Sequence, residues 1–272
     1  MGLRTQLCRK ILPYAIKKGY GEEMLEMVQA LQKAKKTELF AHDMVYHPMK
    51  TNSTFYLPYA VTDWIQRKIF VTDNYFEYKN LNYIFRTFRG GAIAEAVQNR
   101  TILDIGANIG NHTCYFMNEI KKNDASGKCI CFEVMPSTAE LLKKNLALNH
   151  LEERTVVYPF GLGNKKMHAS SIHYDLWNIG GNTIAENREG NLEVRTLDSL
   201  KLTDDIAFIK MDVERMETAV LEGAEELLGR CHPYLMMEVF DDAYPKVRAI
   251  MDRFGYDEEH IDYADYLFYP KD

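Results

Sequence analysis

The chain has 272 residues, 46% of them hydrophobic, and a formal net charge of -6 at pH 7. This length allows one large domain, or one domain with an appendage, and the apolar content is sufficient for a buried core. The acidic balance argues against a general nucleic-acid binder, because such proteins carry a basic excess. We therefore expect no nucleic acid among its partners.

The chain has five cysteines, an odd number, and no C-x-x-C pair. This pattern favours reduced thiols over a disulfide framework or a metal site. No apolar run approaches the roughly 18 residues that a transmembrane helix needs. The scattered basic residues and Pro13 near the N-terminus do not resemble a signal peptide. We expect a cytoplasmic protein.

Residues 1–99 are predicted to form a mainly helical cap and lead-in, and residues 100–272 a second domain. Residues 1–38 have the pattern of two short amphipathic helices, the first of which carries only positive charge. We interpret them as a solvated cap. The alternative is a peripheral membrane contact, because basic residues are attracted to anionic lipid.

The rest of the lead-in is predicted to contain a strand pair between residues 46 and 57, followed by helices over 61–69 and 78–97. The segment between these helices is rich in aromatic residues. Such a stripe is typical of core. Alternatively it forms one wall of a ligand pocket, with Gln66 and Glu77 as its polar members.

From residue 100 onward, apolar strands alternate with helices, which predicts a doubly wound, mostly parallel α/β sheet covered on both faces. The last segment, from 255 to 270, suggests an antiparallel hairpin at the sheet edge. Strands are expected near 101–105, 128–133, 155–160, 206–211 and 234–239, and helices near 111–121, 137–148, 216–228 and 243–254.

The stretch TILDIGANIGNHTCYF, residues 101–116, reads as a strand, a glycine-containing loop and the start of a helix. Such a turn binds nucleotides, because glycine permits close approach and the first N–H groups of the helix face the ligand. Asn108 replaces a glycine of the dinucleotide fingerprint. The carboxylate of Asp104 suits a cationic ligand, so we predict S-adenosylmethionine. The predicted cofactor-binding residues here are Asp104, Gly106, Ala107, Asn108, Gly110 and Asn111.

Further candidates lie at the carboxyl ends of the predicted strands, where ligands bind in open α/β sheets. Glu133 follows the second strand and is predicted to accept hydrogen bonds from ribose hydroxyls. The fourth strand ends with Lys210, Asp212 and Glu214 in alternation, so these side chains share one face. Burying such charges for packing alone is costly, and this favours a catalytic cluster.

Three other groups of residues complete the prediction. His112, in the first turn of the helix after the loop, is a candidate catalytic residue, and Glu77 a candidate cofactor ligand. Glu238 ends the next apolar run and adds a carboxylate for the substrate. The long connection 161–198 is either a plain hairpin or a functional loop that meets a polyhydroxylated acceptor. Its candidate acceptor-binding residues are Trp177, Asn178 and Asn182.

Together these motifs resemble the FkbM-type methyltransferases, a branch of the class I S-adenosylmethionine-dependent enzymes. The resemblance rests on LDIGANIGNHT, FEVMPSTAELLKKNLALN, GLGN, NIGGNT and IKMDVERMETAVLEGAEELL. It implies a class I methyltransferase fold in which residues 100–272 bind the cofactor. It also implies O-methylation of a sugar hydroxyl in glycans or of a related metabolite. By the same resemblance, Asp212 and Glu214 lie at the reacting centre.

The sequence departs from the family pattern after D-V-E, where the family has glycine and an aromatic residue and this chain has Arg215 and Met216. A guanidinium binds phosphate or carboxylate with two hydrogen bonds. Arg215 therefore suggests an acceptor that carries an anionic group.

For the mechanism, we predict that Asp212 is the base, with Glu214 and Lys210 orienting it or the acceptor. The alternative is that Asp212 and Glu214 bind a divalent metal, for which two carboxylates at i and i+2 are weak evidence. Two other classes stay open, a nicotinamide-dependent oxidoreductase and a non-catalytic adenosyl-binding partner of a glycan-assembly complex. The pattern does not reveal the oligomeric state.

Overall fold

The computed structural model describes residues 44–60, 62–172 and 178–271. The helices predicted for residues 1–38 lie outside the described residues. The chain divides into two compact units, one of residues 1–76 and 175–181, the other of residues 77–174 and 182–272. The predicted division at residue 99 stays a prediction.

The first unit contains a strand pair and a helix. Strands β1 (Val45–Tyr46) and β2 (Phe55–Tyr56) pair antiparallel, beginning one residue before the predicted range, and helix α1 spans Trp64–Thr72. The side chain of Asp63 caps α1 by accepting a hydrogen bond from the Gln66 N–H at 3.0 Å. Gln66 itself is fully buried and accepts from the Tyr59 N–H, so it has a structural role.

The predicted helix over 78–97 is broken into four pieces: α2 (Tyr78–Asn82), a π-helix (Tyr83–Thr87), a 3₁₀ turn (Phe88–Gly90) and α3 (Ala92–Ala96). Arg89, Gly90 and Gly91 all have positive φ angles, which a continuous helix does not accommodate. Apolar periodicity continues across the break because each piece packs its apolar side inward, so the spacing alone does not reveal it.

The second unit is built on a seven-stranded sheet. The strand order is β12-β13-β11-β10-β3-β4-β5, and all strands run in the same direction except β13, which is antiparallel to both of its neighbours, β11 and β12. The strands are β3 (Thr101–Ile105), β4 (Lys128–Phe132), β5 (Thr155–Tyr158), β10 (Ile206–Met211), β11 (Tyr234–Glu238), β12 (Tyr256–Asp262) and β13 (Asp265–Pro270). This confirms the predicted doubly wound sheet with a C-terminal antiparallel hairpin.

The remaining helices alternate with these strands: α4 (Asn111–Lys122), α5 (Pro136–Leu148), α6 (Glu217–Glu222), α7 (Glu225–Cys231) and α8 (Tyr244–Arg253). The predicted helix over 216–228 is two helices, separated at Gly223. A Cβ on Gly223 would lie 2.1 Å from the carbonyl oxygen of Gly163, so only glycine fits this contact. Leu103, Ile209 and Leu235 are among the fully buried residues that form the core between sheet and helices.

The long connection after β5 is largely a second sheet. Four short strands, β6 (Gly161–Leu162), β7 (Met167–Ser171), β8 (Ile184–Glu186) and β9 (Leu192–Arg195), lie in the order β6-β9-β7-β8. Ala169, Leu192 and Val194 form its small core. No helix in the described ranges is long and apolar enough to cross a membrane.

Candidate active site

The loop between β3 and α4 is held in its shape by glycines. Gly106 and Gly110 have φ angles of 76° and 85°, and Asn108 has a φ of 49°. A Cβ on Gly106 would lie 1.8 Å from the carbonyl oxygen of Asp212, and one on Gly110 would lie 2.6 Å from Cδ1 of Leu142. These glycines therefore let protein pack against protein, a reason that the sequence interpretation, which invoked close approach of a ligand, missed.

The backbone donors of this loop bind the end of the neighbouring strand. The N–H groups of Gly106 and Ala107 both donate to the carbonyl oxygen of Phe132, each at 3.0 Å. The N–H of Asn108 donates to Oε2 of Glu133 at 2.9 Å. The first donors of the loop thus fix the position of Glu133.

Glu133 lies immediately after β4, as predicted, and is buried. Its second oxygen, Oε1, accepts a hydrogen bond from the Met135 N–H at 2.9 Å. Burial raises the pKa of Glu133 to about 7, although the two backbone hydrogen bonds oppose this shift. Each carboxylate oxygen has a further lone pair, so the oriented side chain can still accept hydrogen bonds from a ligand's hydroxyl groups.

Asp104, at the end of β3, is completely buried. Its Oδ2 accepts a hydrogen bond from the Thr113 hydroxyl, and its Oδ1 lies 3.6 Å from Nζ of Lys210 without a hydrogen-bond partner. The cation that Asp104 meets in the structure is Lys210. Its direct contact with a cofactor stays a prediction.

Lys210 connects the two central strands of the sheet. Its Nζ donates to the carbonyl oxygen of Gly106 at 2.8 Å and lies 3.5 Å from Oδ2 of Asp212. Burial acts to lower the pKa of Lys210, but the carboxylates of Asp212, Asp104 and Glu77 outweigh it and raise the pKa to about 12. Lys210 is therefore a permanent cation at the site.

A partly open cavity lies beside this lysine. It lies at the carboxyl ends of β10 and β11, where ligands are expected in an open α/β sheet. Five of the predicted site residues come together here, although they are far apart in the sequence. The lining residues are Glu77, His112, Lys210, Met211, Asp212, Met236, Glu238 and Asp265.

His112 and Glu77 form one wall of the cavity. His112 Nε2 lies 3.2 Å from Oε2 of Glu77, yet the angles are not those of a hydrogen bond, so this buried nitrogen has no hydrogen-bond partner. Glu77 has a left-handed conformation, with a φ of 57°, at the start of α2. The predictions for these two residues placed them near the site but not beside each other.

Asp265 is a site residue that the sequence interpretation missed. It lies opposite Glu238 in the antiparallel pairing of β13 with β11. Its Oδ2 accepts a hydrogen bond from the side chain of Asn80 at 3.0 Å. The sequence does contain a signal for it, because the second strand of a C-terminal hairpin beside β11 must begin where β11 ends.

The carboxyl groups of Glu238 and Asp265 have strongly raised pKa values. Burial and the neighbouring carboxylates raise the pKa of Glu238 to about 8 and that of Asp265 to about 7. Glu214, just beyond β10, does not line the cavity, but burial and the nearby Asp212 raise its pKa to about 7. No cluster of three or more potential metal ligands occurs among the described residues.

Comparison with family models gives a match to the methyltransferase FkbM domain over residues 104–258, which is more than half of the chain. This range begins at Asp104 and includes the glycine loop, Glu133 and the Lys210–Glu214 cluster. The chain belongs to the FkbM methyltransferase family. It is therefore an S-adenosylmethionine-dependent methyltransferase, and the oxidoreductase and non-catalytic alternatives are wrong.

Solved structures similar to this FkbM methyltransferase share little sequence with it. The methyltransferase FkbM from Methylobacillus flagellatus KT is 18% identical, with a TM-score of 0.47 over 63% of this chain and 44% of that one. The chain thus spans less than half the length of that protein. No curated protein gives a significant match.

Two further structures have a similar fold. The precorrin-6y C5,15-methyltransferase from Geobacter metallireducens GS-15 is 10% identical, with a TM-score of 0.39 over 65% of this chain and 83% of that one. Cofactor-bound Rv0187 from MTB is 14% identical, with a TM-score of 0.43 over 71% of this chain and 79% of that one.

Arg215, where this FkbM methyltransferase departs from the family pattern, has a φ of 75°, and the preceding Glu214 has a φ of 50°. A left-handed conformation favours glycine, which explains the usual family residue. The guanidinium of Arg215 pairs with Asp242 at 2.9 Å and lies 4.8 Å from the ring centre of Phe240. It does not line the cavity, and its role as an anion-binding residue for the acceptor stays a prediction.

The predicted acceptor-binding residues of the long connection have different positions. Trp177 lies outside the described residues. In the first unit, the side chain of Asn178 closes a turn by accepting a hydrogen bond from the Gly181 N–H at 3.2 Å. In the second unit, Asn182 is buried and does not line the cavity. Their contact with the acceptor stays a prediction.

Proposed function

We propose that this FkbM methyltransferase transfers the methyl group to a hydroxyl of a sugar, a glycan or a related polyhydroxylated metabolite. The observation that carries this proposal is the position of Asp212, which is partly exposed and lines the cavity. Its Oδ2 lies 3.5 Å from Nζ of Lys210, an ion pair that orients the carboxylate. An alcohol must lose a proton on methylation, so a carboxylate at this position can serve as the base.

The residues of the site fit S-adenosylmethionine. The cofactor has two ribose hydroxyls and a cationic sulfur. Glu133 is buried and oriented by backbone hydrogen bonds, but it has no cation beside it within hydrogen-bond distance in the described chain. Ribose hydroxyls would supply donors to this carboxylate. The carboxylate of Asp212, which lines the cavity, suits the positive charge of the cofactor's sulfonium.

Bound S-adenosylmethionine would supply an electrophilic methyl group on a sulfonium whose sulfur leaves as a neutral thioether. Asp212 would accept the hydroxyl proton as the acceptor oxygen forms its bond to carbon. Lys210, with a pKa of about 12, cannot be the base, and it holds Asp212 and the Gly106 carbonyl in place. Alignment of the reacting groups lowers the activation free energy by roughly 7–11 kcal/mol in well-oriented cases.

The proposal also includes the roles predicted for the remaining site residues. His112 and Glu214 would act beside Asp212, and Glu77 beside the bound cofactor, while Glu238 contacts the acceptor. A cytoplasmic location, a glycan or small-molecule acceptor and a membrane contact through the basic N-terminus are supported by the sequence pattern alone.

Methyl transfer to a panel of methyl glycosides tests the proposal. Labelled S-adenosylmethionine is the donor, and mass spectrometry locates the new methyl group. Asp212→Asn should lower kcat by about 100-fold or more, which is typical of removing a general base, and change cofactor affinity less than twofold. The matched control, Asp257→Asn on the surface strand β12, should retain full activity. Equal kcat in Asp212→Asn and the parent protein would refute Asp212 as base.

A further inference from the structure

The cavity lies on one side of the predicted cofactor position. All of its strand residues come from β10, β11 and β13, whereas the loop 106–110 and Glu133 lie at the ends of β3 and β4. Glu133 and Glu238 are three strand spacings apart in the sheet, which is about 14 Å. The cavity therefore lies away from the predicted ribose position, and we assign it to the acceptor.

The cavity is lined mainly by acidic side chains. Four carboxylates line it, against one lysine and one histidine. The lysine is already engaged, because it lies 3.6 Å from Asp104 and 3.5 Å from Asp212. Within the described ranges, Glu238 and Asp265 have no ion-pair partner within 4.0 Å. Their charges are left for something else to neutralise.

This arrangement is costly for the protein alone. Glu238 and Asp265 are directly opposite each other in the strand pairing, and like charges at such positions are destabilising. Burial raises both pKa values, and nearby carboxylates add to the shift, chiefly Asp212 and Glu214 for Glu238 and Glu77 for Asp265. A cation between the two carboxylates would remove the repulsion and replace lost hydration.

His112 gives an independent indication of a ligand at the same place. Its side chain is only 8% exposed, it lines the cavity, and its Nε2 has no hydrogen-bond partner. A buried polar atom left without a partner costs about 1–3 kcal/mol. A polar ligand in the cavity that forms a hydrogen bond with Nε2 would satisfy this nitrogen, whose nearest protein group is Oε2 of Glu77 at 3.2 Å.

We infer that the cavity binds the acceptor through a positively charged amine, so that the acceptor is a polyhydroxylated amine, such as an amino sugar with a free amino group. The ammonium lies between Glu238 and Asp265, and the hydroxyl to be methylated is directed toward Asp212. This inference rests on the proposed O-methyl transfer at the same site. It reverses the charge that Arg215 suggested from the sequence, because that guanidinium pairs with Asp242 instead.

Binding of matched sugars measures the charge preference directly. The methyl glycosides of glucosamine and galactosamine, their N-acetylated forms and the corresponding neutral hexosides are titrated calorimetrically into the full chain at pH 7. S-adenosylhomocysteine is present throughout, so that the cofactor's own sulfonium is absent. We expect the free amines to bind at least tenfold more tightly than the acetylated and neutral sugars.

Variants then locate the preference in the cavity. Glu238→Gln should reduce the preference for the free amine by at least fivefold, whereas Glu226→Gln, which removes an exposed carboxylate on α7, should leave it unchanged. A circular dichroism melt confirms that each variant is folded. Equal affinity for the three forms, tighter binding of the acetylated sugars, or binding of none of the probes would overturn the inference.

The position of the methyl group separates this inference from the proposed function. Charge-selective binding with O-methylation supports both. Charge-selective binding with methylation on nitrogen, or with no transfer, supports amine recognition and contradicts the proposed O-methyl transfer. O-methylation without any charge preference supports the proposed function and overturns amine recognition.

Discussion

The two sides of the site treat their carboxylates differently. At the ends of β3 and β4, Asp104 is compensated by Thr113 and Lys210, and Glu133 by two backbone N–H groups. At the end of β11 and the start of β13, Glu238 and Asp265 face each other without an ion-pair partner in the described part of the chain. The predicted cofactor side is thus organised by hydrogen bonds within the protein, whereas on the predicted acceptor side burial and nearby carboxylates keep the pKa values of Glu238 and Asp265 high.

The largest expected effect comes from the contact that joins the two sides. Gly106→Ala would force a Cβ into the carbonyl oxygen of Asp212 and also strain a residue with a φ of 76°. We expect the free energy of unfolding in urea to fall by about 2–4 kcal/mol. Gly255→Ala is a matched control, because its φ is 74° but its Cβ would meet no atom within 4 Å.

The control should lose only about 1–2 kcal/mol, the cost of the left-handed conformation for a residue with a side chain. If both variants lose the same amount, the close approach of loop and strand does not contribute to stability. The difference between the two variants therefore isolates the contact between Gly106 and Asp212.

The next effect contrasts a carboxylate from each side. Glu133→Gln should weaken S-adenosylmethionine binding by about 10- to 100-fold, because hydrogen bonds to a charged acceptor contribute about 1.5–3 kcal/mol. Glu238→Gln should change this affinity less than twofold. Calorimetric titration with the cofactor alone measures both. Similar losses in the two variants would mean that the cofactor extends into the cavity.

A smaller effect is a dependence of stability on pH. The folded pKa is about 8 for Glu238 and about 7 for Asp265, Glu214 and Glu133, above the ordinary values of 4.5 for glutamate and 3.8 for aspartate. Between the unfolded and folded values, the folded protein holds more protons, so raising the pH favours unfolding. The melting temperature should therefore decrease from pH 5 to pH 8.5.

A variant tests which side produces this dependence. Glu238→Gln removes the carboxyl with the highest of these pKa values and should make the decrease in melting temperature shallower, whereas Glu226→Gln should not. With an amine-bearing sugar bound at Glu238, the melting temperature should also fall less between pH 5 and pH 8.5. A melting temperature that rises with pH over this range would contradict the assignment.

The smallest effect concerns Arg215. Arg215→Gly relieves a left-handed conformation, worth about 1–2 kcal/mol, and loses an exposed ion pair with Asp242, worth about 0–1 kcal/mol. We expect the free energy of unfolding in urea to change by less than about 2 kcal/mol, with stabilisation as the direction. Asp242→Ala, which removes only the ion pair, should give no stabilisation. A loss of stability in Arg215→Gly would show that the contacts of the guanidinium stabilise the protein by more than the left-handed backbone conformation of Arg215 destabilises it.

The cofactor side could be predicted from the sequence because its parts are local. The strand, the loop and the start of α4 are continuous from residue 101 to 116, and Glu133 follows its own strand directly. Hydrophobic periodicity and a rule about strand ends are enough to place these residues. The packing reason why position 106 must be glycine was nevertheless missed, because the residue that it contacts, Asp212, is more than a hundred residues away in the sequence.

The acceptor side could be predicted only in part. Lys210, Asp212 and Glu238 were found because each ends an apolar strand. Asp265 was missed because it belongs to the wall only through the register of a hairpin with β11. The broken helix over 78–97 and the small sheet after β5 were also missed, since apolar spacing does not record left-handed residues or the pairing of short strands.

By itself, the sequence determined the family, the order in which the strands of the large sheet and their helices follow one another, and the residues at the ends of the central strands. These follow from local patterns of apolar, glycine and acidic residues. Only the tertiary structure decided which charges are compensated. Whether a charge is neutralised depends on distances between residues that are far apart in the sequence. In the structure Lys210 lies beside Asp104 and Asp212, and Arg215 pairs with Asp242. Glu238, in contrast, faces Asp265.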